Sequence, residues 1–269
     1  NDRANFFWVA RRLTHISKVL IFSLVLLVAA CTTPQDMGRE SLASEEDLFR
    51  IFARLGAGFG KDDNANAWVR KWVSPVRVSL VNARSPDDEQ LVRAAFEKLL
   101  PLTGIPHEYP AKTGRTNFVV HFVKHADLKQ EIDKRVGSSG KYKALPKGTL
   151  CFALPRGRNN IGYADIFVAN DISDKIREIC VLHEMLHAFG LIGHHQLFGP
   201  SILFHKDISQ QQFSLNDRIL LRTLYDPSIS AGMPRKEALL AAKTLIARFR
   251  RDLLANGLKD DVLAQPLQW

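Results

Sequence analysis

The chain has 269 residues, of which 46% are hydrophobic, 24% charged and 9% aromatic. These are the proportions of an ordinary globular protein, and they exclude collagen-like, disordered and polytopic membrane classes. The 37 basic against 28 acidic side chains give a formal charge of +9, which invites a nucleic-acid partner until the placement of the charge is considered.

In chain order, Arg3, Arg11, Arg12, His15 and Lys18 form a basic stretch, and Val19 to Ala30 then runs without a charge. That apolar run is too short to cross a hydrocarbon core, which takes about 20 helical residues. A basic segment, a short apolar run and small residues at its end form the pattern of a secretory signal peptide over residues 1–30. Four of the positive charges therefore belong to export. Val28-Ala29-Ala30-Cys31 resembles the bacterial lipobox, which implies that Cys31 carries lipid and becomes the N-terminus; ordinary cleavage near Ala30 is the competing reading. Residues 31–44 then read as a polar tether. Thr32 after the cysteine, in place of an aspartate, implies an outer-membrane lipoprotein facing the periplasm.

Residues 45–269 read as a single domain. Glu45 to Leu55 predicts an amphipathic helix, with Leu48, Phe49, Phe52 and Leu55 on one side. Val76, Val78 and Leu80 alternate as in a strand. Ser85-Pro86-Asp87-Asp88-Glu89 is a helix start, with a cap residue, proline at the first position and acids at the positive end. That helix should run to about Leu102, turning Leu91, Ala95, Phe96, Leu99 and Leu100 inward. Asn117 to Lys124 predicts a second strand and Asp127 to Val136 a short helix, followed by a Gly/Ser/Lys loop to Lys147. Thr149 to Leu154 and Ile161 to Val168 predict two more strands. Helices should follow at Asp174 to Gly190, Ser214 to Tyr225 and Arg235 to Ala255. This order predicts an α/β (α+β) fold: a mixed, mostly parallel twisted sheet with helices packed on it. The sheet and motif helix would occupy 45–190, and a helical part 191–269.

Beyond Cys31 the cysteines are Cys151 and Cys180. Two cysteines in an exported chain predict a disulfide, with a pair of buried free thiols as the alternative.

His183-Glu184-Met185-Leu186-His187 is H-E-x-x-H inside a predicted helix. Residues four apart share one helix face, so both imidazoles can reach one metal ion. Glu184 points beside that face, where it can take a proton from a metal-bound water and return it to a leaving amine. Zinc suits neutral nitrogen ligands, and a catalytic zinc takes three protein ligands with one open position. Such a motif arises by chance in about one chain in a hundred of this length. Gly190 raises its specificity, because glycine ends the helix and turns the chain back toward the metal.

The run HEMLHAFGLIGHH is similar to the metzincin consensus H-E-x-x-H-x-x-G-x-x-H. Cys180, Ser201-Ile202, Leu224-Tyr225-Asp226-Pro227 and Gly232-Met233 also resemble the bacterial family filed as domain of unknown function 2927. The likeness reaches back to Cys151, and residues 45–148 add only an order of elements similar to the upper half of a metzincin. The resemblance implies a zinc metallopeptidase of the HExxHxxG type, with Glu184 as general base and His183, His187 and His194 as ligands. The chain departs from the consensus in two places. Gly193 stands where a metzincin has its third ligand, so His194 takes that place, with His195 as the fallback. Leu203 stands where metzincins place the methionine of a turn beneath the metal, and would supply an apolar floor without sulfur.

Other signals are weaker. Ile161 to Val168 would resemble the edge strand along which metzincins align a substrate. Tyr225 could donate to an oxyanion, though a core or turn role fits its context better. His121 and His125 read as ordinary polar positions, and His205 as a remote alternative ligand. The C-terminal helix is basic and amphipathic; it could rest on anionic lipid, but packing on the domain is the simpler expectation. No nucleic-acid-binding motif is visible. The expected function is a zinc-dependent envelope peptidase, held to the membrane by lipid and acting on a peptide or protein substrate. Two alternatives remain: a non-catalytic binding or scaffold lipoprotein, and a cell-wall amidase.

Overall fold

A computed structural model describes residues 42–57, 67–111, 115–136, 145–197, 200–204 and 212–264. Residues 1–41, with the expected signal segment and Cys31, and His205 lie outside the described residues.

The chain enters through α1 (Glu45–Leu55), whose cap Ser44 accepts from the Asp47 N–H at 3.1 Å and whose first turn is acidic. Its buried face is Leu48, Ile51, Phe52 and Leu55; Phe49 is only half-buried, and Ile51 takes the place expected of it. The alternating segment forms β1 (Val76–Val81), followed by α2 (Pro86–Thr103). Helix α2 starts at Ser85-Pro86 as expected and stops at Gly104, which takes a left-handed φ of 65°. It buries Val92, Ala95, Phe96, Leu99 and Leu102, while Leu91 and Leu100 are half-buried at the edges of its apolar stripe.

A two-residue strand, β2 (His107–Glu108), precedes β3 (Phe118–Val123) and α3 (His125–Val136). Too short for any alternation, β2 had no periodic signal to predict it. Next come β4 (Cys151–Arg156), β5 (Tyr163–Ala169) and the motif helix α4 (Asp174–Ala188). Helices α5 (Leu215–Leu224) and α6 (Arg235–Ala255) close the fold, with a 3₁₀ turn at Asp260–Leu263.

The five strands run in the order β2-β1-β3-β5-β4. All neighbours are parallel except β4, which pairs antiparallel with β5, Cys151 opposite Val168 and Arg156 opposite Tyr163. The mixed, mostly parallel sheet is thus as expected, but the edge strand is not. Ile161 to Val168 lies largely within β5, an interior strand, and its hydrogen-bonding capacity goes to β3 and β4. The edge on this side of the sheet belongs to β4. This also explains the burial: β3 is buried along its whole length and β5 nearly so, whereas β4 is half-buried.

Strand residues alternate between faces, and this sorts the layers. Cys151 turns toward α4, while Phe167 on the other face packs with Val123, Leu128 and Ile132 of β3 and α3. Between sheet and helices sits an aromatic cluster of Trp72, Phe96, Phe118 and Phe189, with edge-on ring contacts at 5.1 and 6.0 Å from Phe96.

Helix α6 lies against α1 and α5. Part of its basic charge is spent within the fold: Arg250 donates to the Ala43 carbonyl, Arg235 to that of Ala53, and Arg248 pairs with Asp226. Among the described residues, no helix is long and apolar enough to cross a membrane.

Candidate metal centre

Helix α4 is capped by Ser173 and carries His183 and His187 one turn apart near its C-terminus. The last carbonyls of a helix lack intrahelical partners, and here core side chains satisfy them. Trp72 Nε1 donates to the Ala188 carbonyl at 2.9 Å, and the Tyr225 hydroxyl to that of Phe189 at 3.0 Å. Tyr225 also accepts from the Trp72 N–H at 3.1 Å and is buried. Its role is therefore structural, as its context favoured, and its hydroxyl is fully used by backbone groups. Burial holds that hydroxyl protonated, its pKa pushed well above the usual phenol value.

The chain leaves the helix at Gly190, φ 105°. A Cβ there would meet the Arg70 carbonyl oxygen at 2.5 Å, so both backbone conformation and space require glycine. A second left-handed turn at Gly193, φ 99°, carries the chain past the position a metzincin-type ligand would take and delivers His194 to the cluster.

His183, His187 and His194 place their ligand nitrogens within 4.8 Å of one another. His183 Nε2 lies 3.0 Å from His187 Nε2 and 2.9 Å from His194 Nε2. His195, the fallback, is turned away: it is buried, with Nε2 3.0 Å from Ser201 Oγ.

The tautomers follow from the outer contacts. His183 Nδ1 lies 2.7 Å from the Ile202 carbonyl and His187 Nδ1 2.6 Å from that of Leu191. A carbonyl only accepts, so each Nδ1 carries the proton and each Nε2 presents a lone pair. Burial above all, then the neighbouring histidines, lowers the pKa of His183 to about 4 and holds that of His187 well below the ordinary value. Neutral His183 and His187 therefore have no proton to share between their Nε2 atoms, and two lone pairs face each other at 3.0 Å. A cation between them would turn that repulsion into ligation. Tetrahedral zinc, with Zn–N near 2.0–2.1 Å, sets its donors about 3.3 Å apart, a few tenths of an ångström from the two spacings that His183 makes. The donor set fits zinc. Exposure grades from buried His187 through half-buried His183 to exposed His194, so solvent reaches the cluster from the His194 side.

Glu184 is buried on the sheet side of the helix, where its carboxylate accepts from the Ala153 N–H of β4. Burial pushes its pKa up to about 8, against the opposing effect of that hydrogen bond. Behind it, Cys151 and Cys180 form a disulfide that joins β4 to α4.

Leu203, expected as an apolar floor, is fully buried, and the preceding Ile202 supplies the carbonyl that holds His183. Sequence reasoning missed the backbone acceptors at Leu191 and Ile202, since carbonyls have no sequence signature. It also gave Ser201, noted only within the family resemblance, no role and missed Asp217; the two bond to each other at 2.5 Å. The Ser214-x-x-Asp217 spacing, a capping box, was a readable sign of the latter.

His121 is not an ordinary polar position. It is buried, with Nε2 2.8 Å from Asp165 Oδ1 and its ring stacked on Phe167. Arg156 holds the other Asp165 oxygen. This cluster occupies the sheet face opposite α4. His125 opens α3 and is exposed, as expected of a polar position.

No curated protein matches the chain. The model of the family described as protein of unknown function, DUF2927, matches residues 46–243, from α1 into α6, a wider span than the cysteine-to-methionine region that first suggested it. The chain belongs to the DUF2927 family.

Proposed function

We propose that this protein is a zinc-dependent peptidase, built like a metzincin around the α4 motif and held in the bacterial cell envelope by lipid on Cys31. The observation that carries the reading is the convergence of three imidazole Nε2 atoms, two of them left with lone pairs by backbone carbonyls, with a buried carboxyl next in sequence to His183. His183, His187 and His194 would hold the ion. Zinc, when bound, would supply a Lewis acid that lowers the pKa of water and polarises a peptide carbonyl.

Glu184 is suited to the proton work. Its carboxyl sits next in sequence to a ligand and is kept from bulk water, with a pKa near neutral range, where a group can both accept and return a proton. It would take the proton of the attacking water and deliver it to the leaving amine. The Ala153 N–H orients that carboxyl, and the disulfide keeps β4 against the helix. A Cys151–Cys180 bridge also favours an oxidising compartment, consistent with export.

The experiment is a digest of a peptide library by purified zinc-loaded protein, read by mass spectrometry, with a chelated control. Wild type should cleave, chelation should stop it, and Glu184→Gln should keep its zinc while losing on the order of 10²–10⁴-fold in rate. Stoichiometric zinc without cleavage of any peptide would replace this reading with that of a metal-holding scaffold.

A further inference from the structure

Asp217 sits at the third position of α5, fully buried, within a capping box. Its carboxylate accepts from the Ser214 N–H at 2.9 Å and the Ser214 hydroxyl at 2.8 Å. A cap needs no more than that. Yet two further donors reach the same carboxylate from the segment at residues 201–202: the Ser201 hydroxyl at 2.5 Å and the Ile202 N–H at 3.0 Å.

Each of these leads to the histidine cluster. The Ile202 peptide is held at both ends, its N–H by Asp217 and its carbonyl by His183 Nδ1 at 2.7 Å. Ser201, having given its proton to Asp217, can only accept further bonds, so His195 Nε2 must donate to it, at 3.0 Å, alongside the Leu203 N–H at 3.0 Å. This locks His195 in the tautomer opposite to that of His183 and His187. The His195 backbone N–H donates to the Leu203 carbonyl at 3.2 Å, which lays the His194-His195 segment beside residues 203–204. The neighbouring Asn216 amide adds a contact to the Pro200 carbonyl at 3.4 Å.

We infer that Asp217 is the positioning residue of the three-histidine centre, fixing His183 through the Ile202 peptide and His194 through Ser201 and His195. The inference rests on the metal-site reading above. Partners of this kind set ligand orientation, and removing one costs about 10–100-fold in metal affinity.

Zinc affinity of the full chain, measured by competition with a chromogenic chelator, provides the test, together with the visible spectrum of the cobalt-substituted protein. Asp217→Asn and Ser201→Ala should each weaken zinc binding by about 10–100-fold and alter the cobalt spectrum. His195→Leu should do the same, and His195→Gln, which keeps a donor toward Ser201, should recover most of the affinity. Asp226→Asn serves as the control. It breaks the pairs with Arg222 and Arg248, each at 3.1 Å, and should lower metal-free stability without touching zinc affinity.

If Asp217→Asn fails to fold, Ser201→Ala and the two His195 variants decide. Variants that bind zinc as tightly as wild type would overturn the inference and leave the metal site standing. A wild-type chain that binds neither zinc nor cobalt would overturn both.

Discussion

Cys151 and Cys180 bridge the edge strand β4 to helix α4, three residues before His183, and two residues along β4 the Ala153 N–H meets the Glu184 carboxyl. The bridge closes a loop with a sequence separation of 29. In the chain-entropy account that is worth about 3–4 kcal/mol. Replacing both cysteines by alanine should lower unfolding stability by about that amount, measured by urea denaturation against oxidised wild type. An unchanged midpoint would show that the sheet and helix hold together without it.

Tyr225→Phe removes the hydroxyl shared by the Phe189 carbonyl and the Trp72 N–H. Both groups would be left buried and unpaired, at a cost of about 1–3 kcal/mol. Peptide cleavage per folded molecule should be unaffected. A variant of wild-type stability that had lost turnover would instead assign Tyr225 to the chemistry.

The two exit glycines should respond differently to alanine. Gly190→Ala sets a Cβ against the Arg70 carbonyl at 2.5 Å, in a left-handed conformation. Gly193→Ala meets only the Leu55 side chain, at 3.5 Å, so the conformational cost of about 1–2 kcal/mol stands alone. Thermal melts should therefore show the larger loss at Gly190. Equal losses would mean that the Arg70 contact relaxes freely.

The pH dependence of metal-free protein has two opposed limbs. His183 has a pKa of about 4 when folded against an ordinary 6.5. Between these values the unfolded chain binds the extra proton, so its contribution to stability falls as pH drops through that window; His187 acts in the same direction. Glu184 has about 8 against 4.5, so the folded state holds the extra proton and stability falls as pH rises from 4.5 toward 8. From 6.5 to 8 the Glu184 limb acts without opposition from His183. Urea midpoints of chelated protein should decline there in wild type and decline less in Glu184→Gln. Parallel curves would show that Glu184 does not titrate in this range.

Much of the fold was legible one segment at a time. Helix α6 has the predicted bounds, α1 follows its cap and α2 starts at Pro86 in its first turn, because helix starts and apolar stripes act within a few residues. The H-E-x-x-H spacing likewise placed His183 and His187 on one face, since helical periodicity alone sets that geometry.

What the local pattern could not decide was everything set by partners distant in sequence. Runs of similar hydrophobicity describe both β4 and β5, and only the completed pairing makes β4 the edge and buries β5. Adjacent histidines 194 and 195 are chemically identical, and tertiary contacts separate them: the turn at Gly193 sends one to the cluster, while Ser201 and Asp217 claim the other. The sequence by itself determined which residues could bind a metal, because ligand chemistry and helical spacing are local properties. The tertiary structure decided which of them converge, and with which proton on which nitrogen, because Ile202 and Asp217 act across the fold through hydrogen bonds, while the exit turn brings the Leu191 carbonyl back onto His187.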